Sequence, residues 1–213
     1  MRLSAVATSL VMAASSVQGQ TVLHQWNGVS SNESFGFSVS GAGDVNGDGR
    51  DDVIVGAYQD DNTGTNAGSA SVFSGADGSL LFQWNGDDEF DEFGNAVAGA
   101  GDVDGDGFAD VIVGADGDDN NGSFSGSARV FSGADGSVLY LWNGDSSVDR
   151  FGWAVGGVGD VDGDGLPDQV VGAPYDDNTD WGAGSARVFS GADGSVIYTW
   201  DGDANSDHFG WSV

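Results

Sequence analysis

Three nine-residue stretches carry the residue types best suited to chemistry. The first, Asp44-Val45-Asn46-Gly47-Asp48-Gly49-Arg50-Asp51-Asp52, places side-chain oxygens at positions 1, 3, 5 and 9. The Arg50 carbonyl at position 7 is the natural fifth donor. The second stretch offers Asp102, Asp104, Asp106, the Phe108 carbonyl and Asp110, and the third Asp160, Asp162, Asp164, the Leu166 carbonyl and Asp168. Alternate residues of a tightly curled loop point inward, and glycine at position 6 (Gly49, Gly107, Gly165) permits the bend. Such hard oxygens suit Ca2+, whereas a chain with no cysteine and only two histidines suits zinc or copper poorly. An EF-hand is excluded. It needs a bidentate Glu at position 12, and position 12 is Val55, Val113 or Val171 inside an apolar run. Without a cation, like-charge repulsion among three or four carboxylates should loosen each loop.

The loops recur because the whole chain repeats. Phe35-Gly36, Phe93-Gly94, Phe151-Gly152 and Phe209-Gly210 stand at a constant interval of 58 residues, a period that signals a repeat architecture. Full units occupy 35–92, 93–150 and 151–208. Each offers four strand-like runs, in the first unit Gly36–Ala42, Asp52–Ala57, Ser69–Ser74 and Ser79–Trp84, all β-branched or aromatic and bounded by Gly, Asp and Asn. Gly75-Ala76-Asp77-Gly78 joins the last two as a tight hairpin, with two glycines free to take positive φ. Four antiparallel strands per unit predict an all-β fold, a β-propeller of four-stranded blades. Thr21–Gly28 (TVLHQWNG) aligns with Ser79–Gly86 (SLLFQWNG), so 20–34 reads as the fourth strand of an incomplete blade and 209–213 as the start of a further repeat. Three blades are too few for a ring, since propellers typically have about 4–8. The expectation is an incomplete ring in a truncated product or fragment, whose unpaired edges need further blades or self-association to close.

Composition narrows the partners. The 34 acidic residues, 31 of them Asp, face only five arginines and no lysine, giving a formal net charge of −29. Nucleic acid and anionic membranes both require clustered Lys and Arg, so neither is an expected partner. With 39% apolar residues the chain is too hydrophobic for a disordered acidic tail. Met1 and Arg2, an apolar stretch from Leu3 to Ala14 and small residues at Val17 and Gly19 read as a secretory signal peptide over 1–19, cleaved near Gly19. Residues 20–213 are then a secreted, extracellular domain that must be stapled by something other than disulfides. Asn32-Glu33-Ser34 and Asn121-Gly122-Ser123 are sequons for N-glycosylation in a eukaryotic host.

The FG opening, the D-x-[DN]-G-D-G-x-x-D loop and the following GA or GAP (Gly172-Ala173-Pro174) resemble the FG-GAP repeats of integrin α-subunit β-propellers, and the resemblance covers essentially all of 21–213. It implies a seven-bladed propeller with calcium in the loops between strands one and two, and it carries the ligand positions above over one by one. Two departures stand out: the GAP proline is Tyr58 in the first unit and Asp116 in the second, and only three full repeats are present.

No catalytic residues are expected. The histidines are isolated, and His24 occupies a slot filled by Phe82 and Tyr140 in other units, which favours packing. Positions that recur in every blade serve the blade, so a binding site should sit where blades differ. These are the loops 58–67, 116–125 and 174–183 and the connections 87–92, 145–150 and 203–208, all on the face opposite the calcium loops, where Phe90, Phe124, Tyr175 and Trp181 accompany Asp and Asn. The expected function is adhesion or recognition of an extracellular protein or glycan. The alternatives are a lectin-like carbohydrate binder, or a non-catalytic appendage of a secreted hydrolase such as a phospholipase, because FG-GAP repeats also accompany catalytic domains.

Overall fold

In a computed structural model, which describes residues 9–14, 21–30 and 32–213, the chain is all strand and turn. The strands are β1 (Ser9–Ala14), β2 (Thr21–Asn27), β3 (Ser38–Gly43), β4 (Asp52–Ala57), β5 (Ser69–Phe73), β6 (Leu80–Asn85), β7 (Ala96–Gly101), β8 (Asp110–Ala115), β9 (Ser127–Phe131), β10 (Val138–Asn143), β11 (Ala154–Gly159), β12 (Asp168–Ala173), β13 (Ser185–Phe189) and β14 (Val196–Asp201). They form three four-stranded antiparallel sheets, β3 to β6, β7 to β10 and β11 to β14, each in simple chain order, and a two-stranded pair of β1 with β2. These are three blades of an incomplete propeller, with no closed ring among the described residues.

The second strand of each blade is the core. β4, β8 and β12 are buried along their whole length and read as apolar runs rather than as alternation. β8 has a blade against each face, whereas the outer face of β12 borders a cleft closed in part by residues 208–213. The glycine of the GA motif has a packing reason. A Cβ on Gly56 would lie 2.0 Å from the Gly94 carbonyl oxygen of the next blade, and Gly114 meets Gly152 in the same way. Neighbouring blades approach backbone to backbone there, and no side chain fits.

Aromatic residues lock blade to blade. Trp84 stacks on Phe131 of the following blade at 4.4 Å, and Trp142 on Phe189 at 4.3 Å. The Trp84 indole donates to the Gly136 carbonyl and that of Trp142 to Gly194, each at 2.9 Å. β2 sits against the first blade in a similar manner, with Trp26 donating to Gly78 at 2.8 Å and its ring tilted against Phe73 at 4.9 Å. Trp200, at the end of β14, meets no such partner among the described residues and is 47% exposed. Trp142→Phe therefore loses a hydrogen bond and part of a stack, costing about 1–2 kcal/mol. The same change at Trp200 should be nearly neutral, and urea midpoints of the two variants check the contrast.

The first strand starts at Ser38, two residues later than the sequence suggests, because the Phe37 N–H is turned back onto the Ser34 carbonyl at 3.0 Å. In the hairpin only Gly78 has positive φ (79°). Gly75 is there for space instead, since a Cβ would lie 2.0 Å from the Asp51 carbonyl oxygen. β1 pairs with β2 in the register that β9 uses with β10, Ser9 opposite Asn27 as Ser127 is opposite Asn143. The cleavage point expected near Gly19 lies outside the described residues.

Candidate metal centres and the opposite face

Each calcium-type loop is anchored by its ninth residue. Asp110 is fully buried, and its two carboxylate oxygens accept the Val103 N–H at 2.7 Å and the Gly133 N–H at 2.8 Å. Asp52 binds the Val45 and Gly75 N–H groups, and Asp168 those of Val161 and Gly191. One carboxylate thus ties the loop to the neighbouring hairpin. Burial pushes the Asp110 acid up to about 6 despite these two donors, with Asp104 and Asp106 adding repulsion; Asp52 is raised by burial as well.

The loops themselves curl around their first residue. Asp106 N–H and Gly107 N–H donate to the two oxygens of Asp102 at 2.9 Å each, and Asp106 N–H also reaches Asp104 at 3.2 Å. Asp44 and Asn46 receive the equivalent bonds in the first loop and Asp160 and Asp162 in the third. Gly107 takes φ 96°, which a side chain would strain. The outcome is that Asp102, Asp104 and Asp110 bring carboxylate oxygens within 4.8 Å of one another, as do Asp160, Asp162 and Asp168. Asp106 and Asp164 stand outside these groups; their carboxylates accept the Phe108 and Leu166 N–H groups. In the first loop Asn46 replaces the second acid. A curled loop offering three converging carboxylates and free carbonyls fits a hard cation.

The sequence reading missed a second acidic group. Asp149, Asp176 and Asp177 converge within 4.8 Å on the other face; recurrence of an acid at 33, 91, 149 and 207 is the signal that could have found it. Arg187 answers part of this charge, reaching Asp145 at 2.5 Å and Asp176 at 3.2 Å. Burial, reinforced by Asp176, Asp177 and Asp145 and opposed by the Ser146 N–H, pushes Asp149 up to about 6. An acid with a raised native pKa keeps its proton longer when folded, so the fold loses stability as pH climbs from about 4 to about 6. Asp149→Asn should remove that loss and raise the melting temperature at pH 7 by about 2–4 °C, with no gain at pH 4. Melts at the two pH values in chelator check it.

The variable loops lie on this same face, joined by bonds such as Phe90 N–H to the Thr65 carbonyl at 2.9 Å. Of the aromatics expected there, Phe90, Phe124 and Trp181 are exposed, and Arg150 covers the Phe124 ring at 4.8 Å. A cleft of about 280 Å3 lies nearby, lined by Phe37, Tyr58, Trp153, Glu92, Asp116 and Asn95. Asn95 Oδ1 is buried there without a partner. Asp116, deeply buried, is held by the Arg150 guanidinium at 2.5 Å. Phe37 and Trp153 are not among the four aromatics that the sequence places on this face. His24 and His208 both bond to backbone carbonyls, of Gly75 and Pro174, and His24 does so at the place where the Tyr140 hydroxyl meets Gly191. The Asn121 amide of the second sequon donates to the Gly144 carbonyl at 2.8 Å.

Residues 35–73 and 93–131 match the FG-GAP repeat family. Among curated proteins the chain is similar to integrin alpha-5 of Xenopus laevis, 33% identical over 172 residues that span 71% of this chain and 16% of that protein. It is 35% identical to integrin alpha pat-2 of Caenorhabditis elegans over 177 residues, 72% of this chain and 14% of that protein. The chain thus spans less than a fifth of the length of these relatives. Among solved structures, a rhamnogalacturonan lyase, YesW, superposes with a TM-score of 0.50 at 18% identity, over 94% of this chain and 39% of the lyase, a likeness of fold alone. The recurring spacing of Phe-Gly, acidic loop and Gly-Ala, the blades they build and these matches make the chain an FG-GAP repeat protein of the integrin α type.

Proposed function

We propose that this chain is a secreted, calcium-stabilised propeller segment that acts as an adhesion or recognition module, binding an extracellular partner through the face opposite its calcium loops. Similarity to integrin α subunits supports the adhesion reading. The observation that carries the site is the cleft of Phe37, Tyr58 and Trp153, which combines aromatic surface with the carboxylates of Glu92 and Asp116. Such a mixture suits a protein hot spot, where aromatic anchors are enriched. In the loops, Asp44, Asn46, Asp48 and Asp52 and their counterparts would hold Ca2+ with the carbonyls of Arg50, Phe108 and Leu166. These carboxylates serve the metal and the backbone, and the module is non-catalytic in this reading.

The same aromatic and amide groups favour a second reading, carbohydrate binding, since rings stack on sugars while carboxylates and amides accept and donate to hydroxyls. Binding of the purified chain to arrays of extracellular proteins and of glycans, with calcium and with chelator, separates the two. Protein binding that is lost in Trp153→Ala supports recognition through the cleft. Calcium-dependent binding confined to glycans replaces it with the lectin reading, and binding that Trp153→Ala leaves intact removes the cleft from either.

A further inference from the structure

The first blade departs from the other two at one wall. In the second blade Arg129 leaves β9, lies over the Phe93 ring at 5.5 Å and reaches Asp87 at 2.6 Å and Asp118 at 3.6 Å. In the third, Arg187 lies over Phe151 at 5.6 Å between Asp145 and Asp176. The period of 58 places Ser71 where these arginines stand and Val29 where Asp87 and Asp145 stand. The rest of the receptor is retained: Phe35 replaces Phe93, Asp60 replaces Asp118, and Glu33 takes the place of Asp91.

A cavity of about 180 Å3 results, lined by Glu33, Asp60, Ser71 and Phe35 among others. Glu33 is only 4% exposed and Asp60 only 5%. Asp60 is bonded to neutral donors alone, the Asn62 N–H and amide and the Ser69 hydroxyl. Asp176 receives the same set of donors and also takes Arg187, so the geometry admits a guanidinium as well. Glu33 turns one oxygen to the Ser30 N–H and hydroxyl, and its other oxygen, Oε1, is buried with no partner among the described residues. Two buried carboxylates without a cation are costly unless a positive group reaches them. The exposed residues Val29, Leu80 and Gln83 among the lining form the mouth.

We propose that this cavity is a receptor for an arginine side chain of a partner protein, which enters between Val29 and Leu80, lies on the Phe35 ring and pairs with Asp60 and Glu33. Arginine fits better than lysine because the planar guanidinium both stacks on a ring and forks to two carboxylates. The site is separate from the cleft of Trp153 and from the calcium loops, so it stands or falls independently of both.

The probe is acetyl-arginine amide, titrated into the isotopically labelled chain in calcium buffer and followed by NMR. Expected are saturable shifts at Glu33, Asp60 and Ser71 with an affinity on the order of millimolar, and much weaker shifts with acetyl-lysine amide. Ser71→Arg should fill the cavity from within, abolish the shifts and raise the melting temperature by about 2–4 °C. Val29→Asp, at an exposed position, should tighten binding roughly tenfold by restoring the second carboxylate of the other blades. Equal shifts with the lysine amide, shifts that persist in Ser71→Arg, or no shifts in Val29→Asp overturn the proposal. If Ser71→Arg does not fold, the Val29→Asp titration alone decides.

Discussion

Excess EGTA is expected to lower the melting temperature of this protein by about 15–30 °C. With free calcium about 100-fold above Kd, each occupied site adds about 2.7 kcal/mol by mass action. Three independent loops then contribute about 8 kcal/mol, and a chain of this length shifts by about 2–4 °C per kcal/mol. There is no disulfide to carry the load, since the chain has no cysteine. The apo loops also oppose themselves. Asp162 is raised by loss of hydration and by the charges of Asp164, Asp168 and Asp160, a repulsion that a divalent cation would reverse. Scanning calorimetry in calcium and in chelator measures the difference; identical melts would sink the calcium reading.

The second large effect separates the two duties of the loop acids. Asp110→Ala strips the partners from two buried backbone donors, the N–H groups of Val103 and Gly133. An unpaired buried donor costs about 1–3 kcal/mol, so the variant should lose about 3–5 kcal/mol in chelator, and more in calcium because Asp110 also belongs to the carboxylate group that would hold the ion. Asp104→Asn should behave differently. Asp104 is exposed and an amide oxygen can still accept the Asp106 N–H, so its cost should appear only when calcium is present. Denaturant titrations of both variants under both conditions give four midpoints. Were Asp104→Asn as damaging in chelator as in calcium, its role would be structural and not metal binding.

Most of the blade was legible because it repeats. A single strand such as Asp52–Ala57 is ambiguous by itself, but the same six-residue pattern at the same interval in three units, each followed by a hairpin of fixed composition, is not. The nine-residue loops were legible for the same reason, and Asp102, Asp104 and Asp110 do converge in space. What spacing could not reveal is the bonding inside the loop: the Asp106 carboxylate accepts the Phe108 N–H two residues on and stands outside the group of Asp102, Asp104 and Asp110.

The sequence by itself determined the local chemistry and the repeat: which residues form strands, which loops gather acids, and that Trp26, Trp84, Trp142 and Trp200 occupy equivalent positions. These follow from interactions within about one repeat length, so the order of residues encodes them directly. Tertiary structure alone decided what equivalent positions experience. Trp142 is packed against Phe189 while Trp200 is 47% exposed, because burial depends on which residues of another blade lie against the strand end. The GA glycines turned out to mark where two blades touch backbone to backbone. The Arg129 and Arg187 bridges, and the cavity left where Ser71 replaces them, join residues about 10–40 positions apart, to Asp118 and Asp176 within a blade and to Asp87 and Asp145 across its boundary. That pairing is set by how twisted sheets stack, and no pattern along one strand reports it.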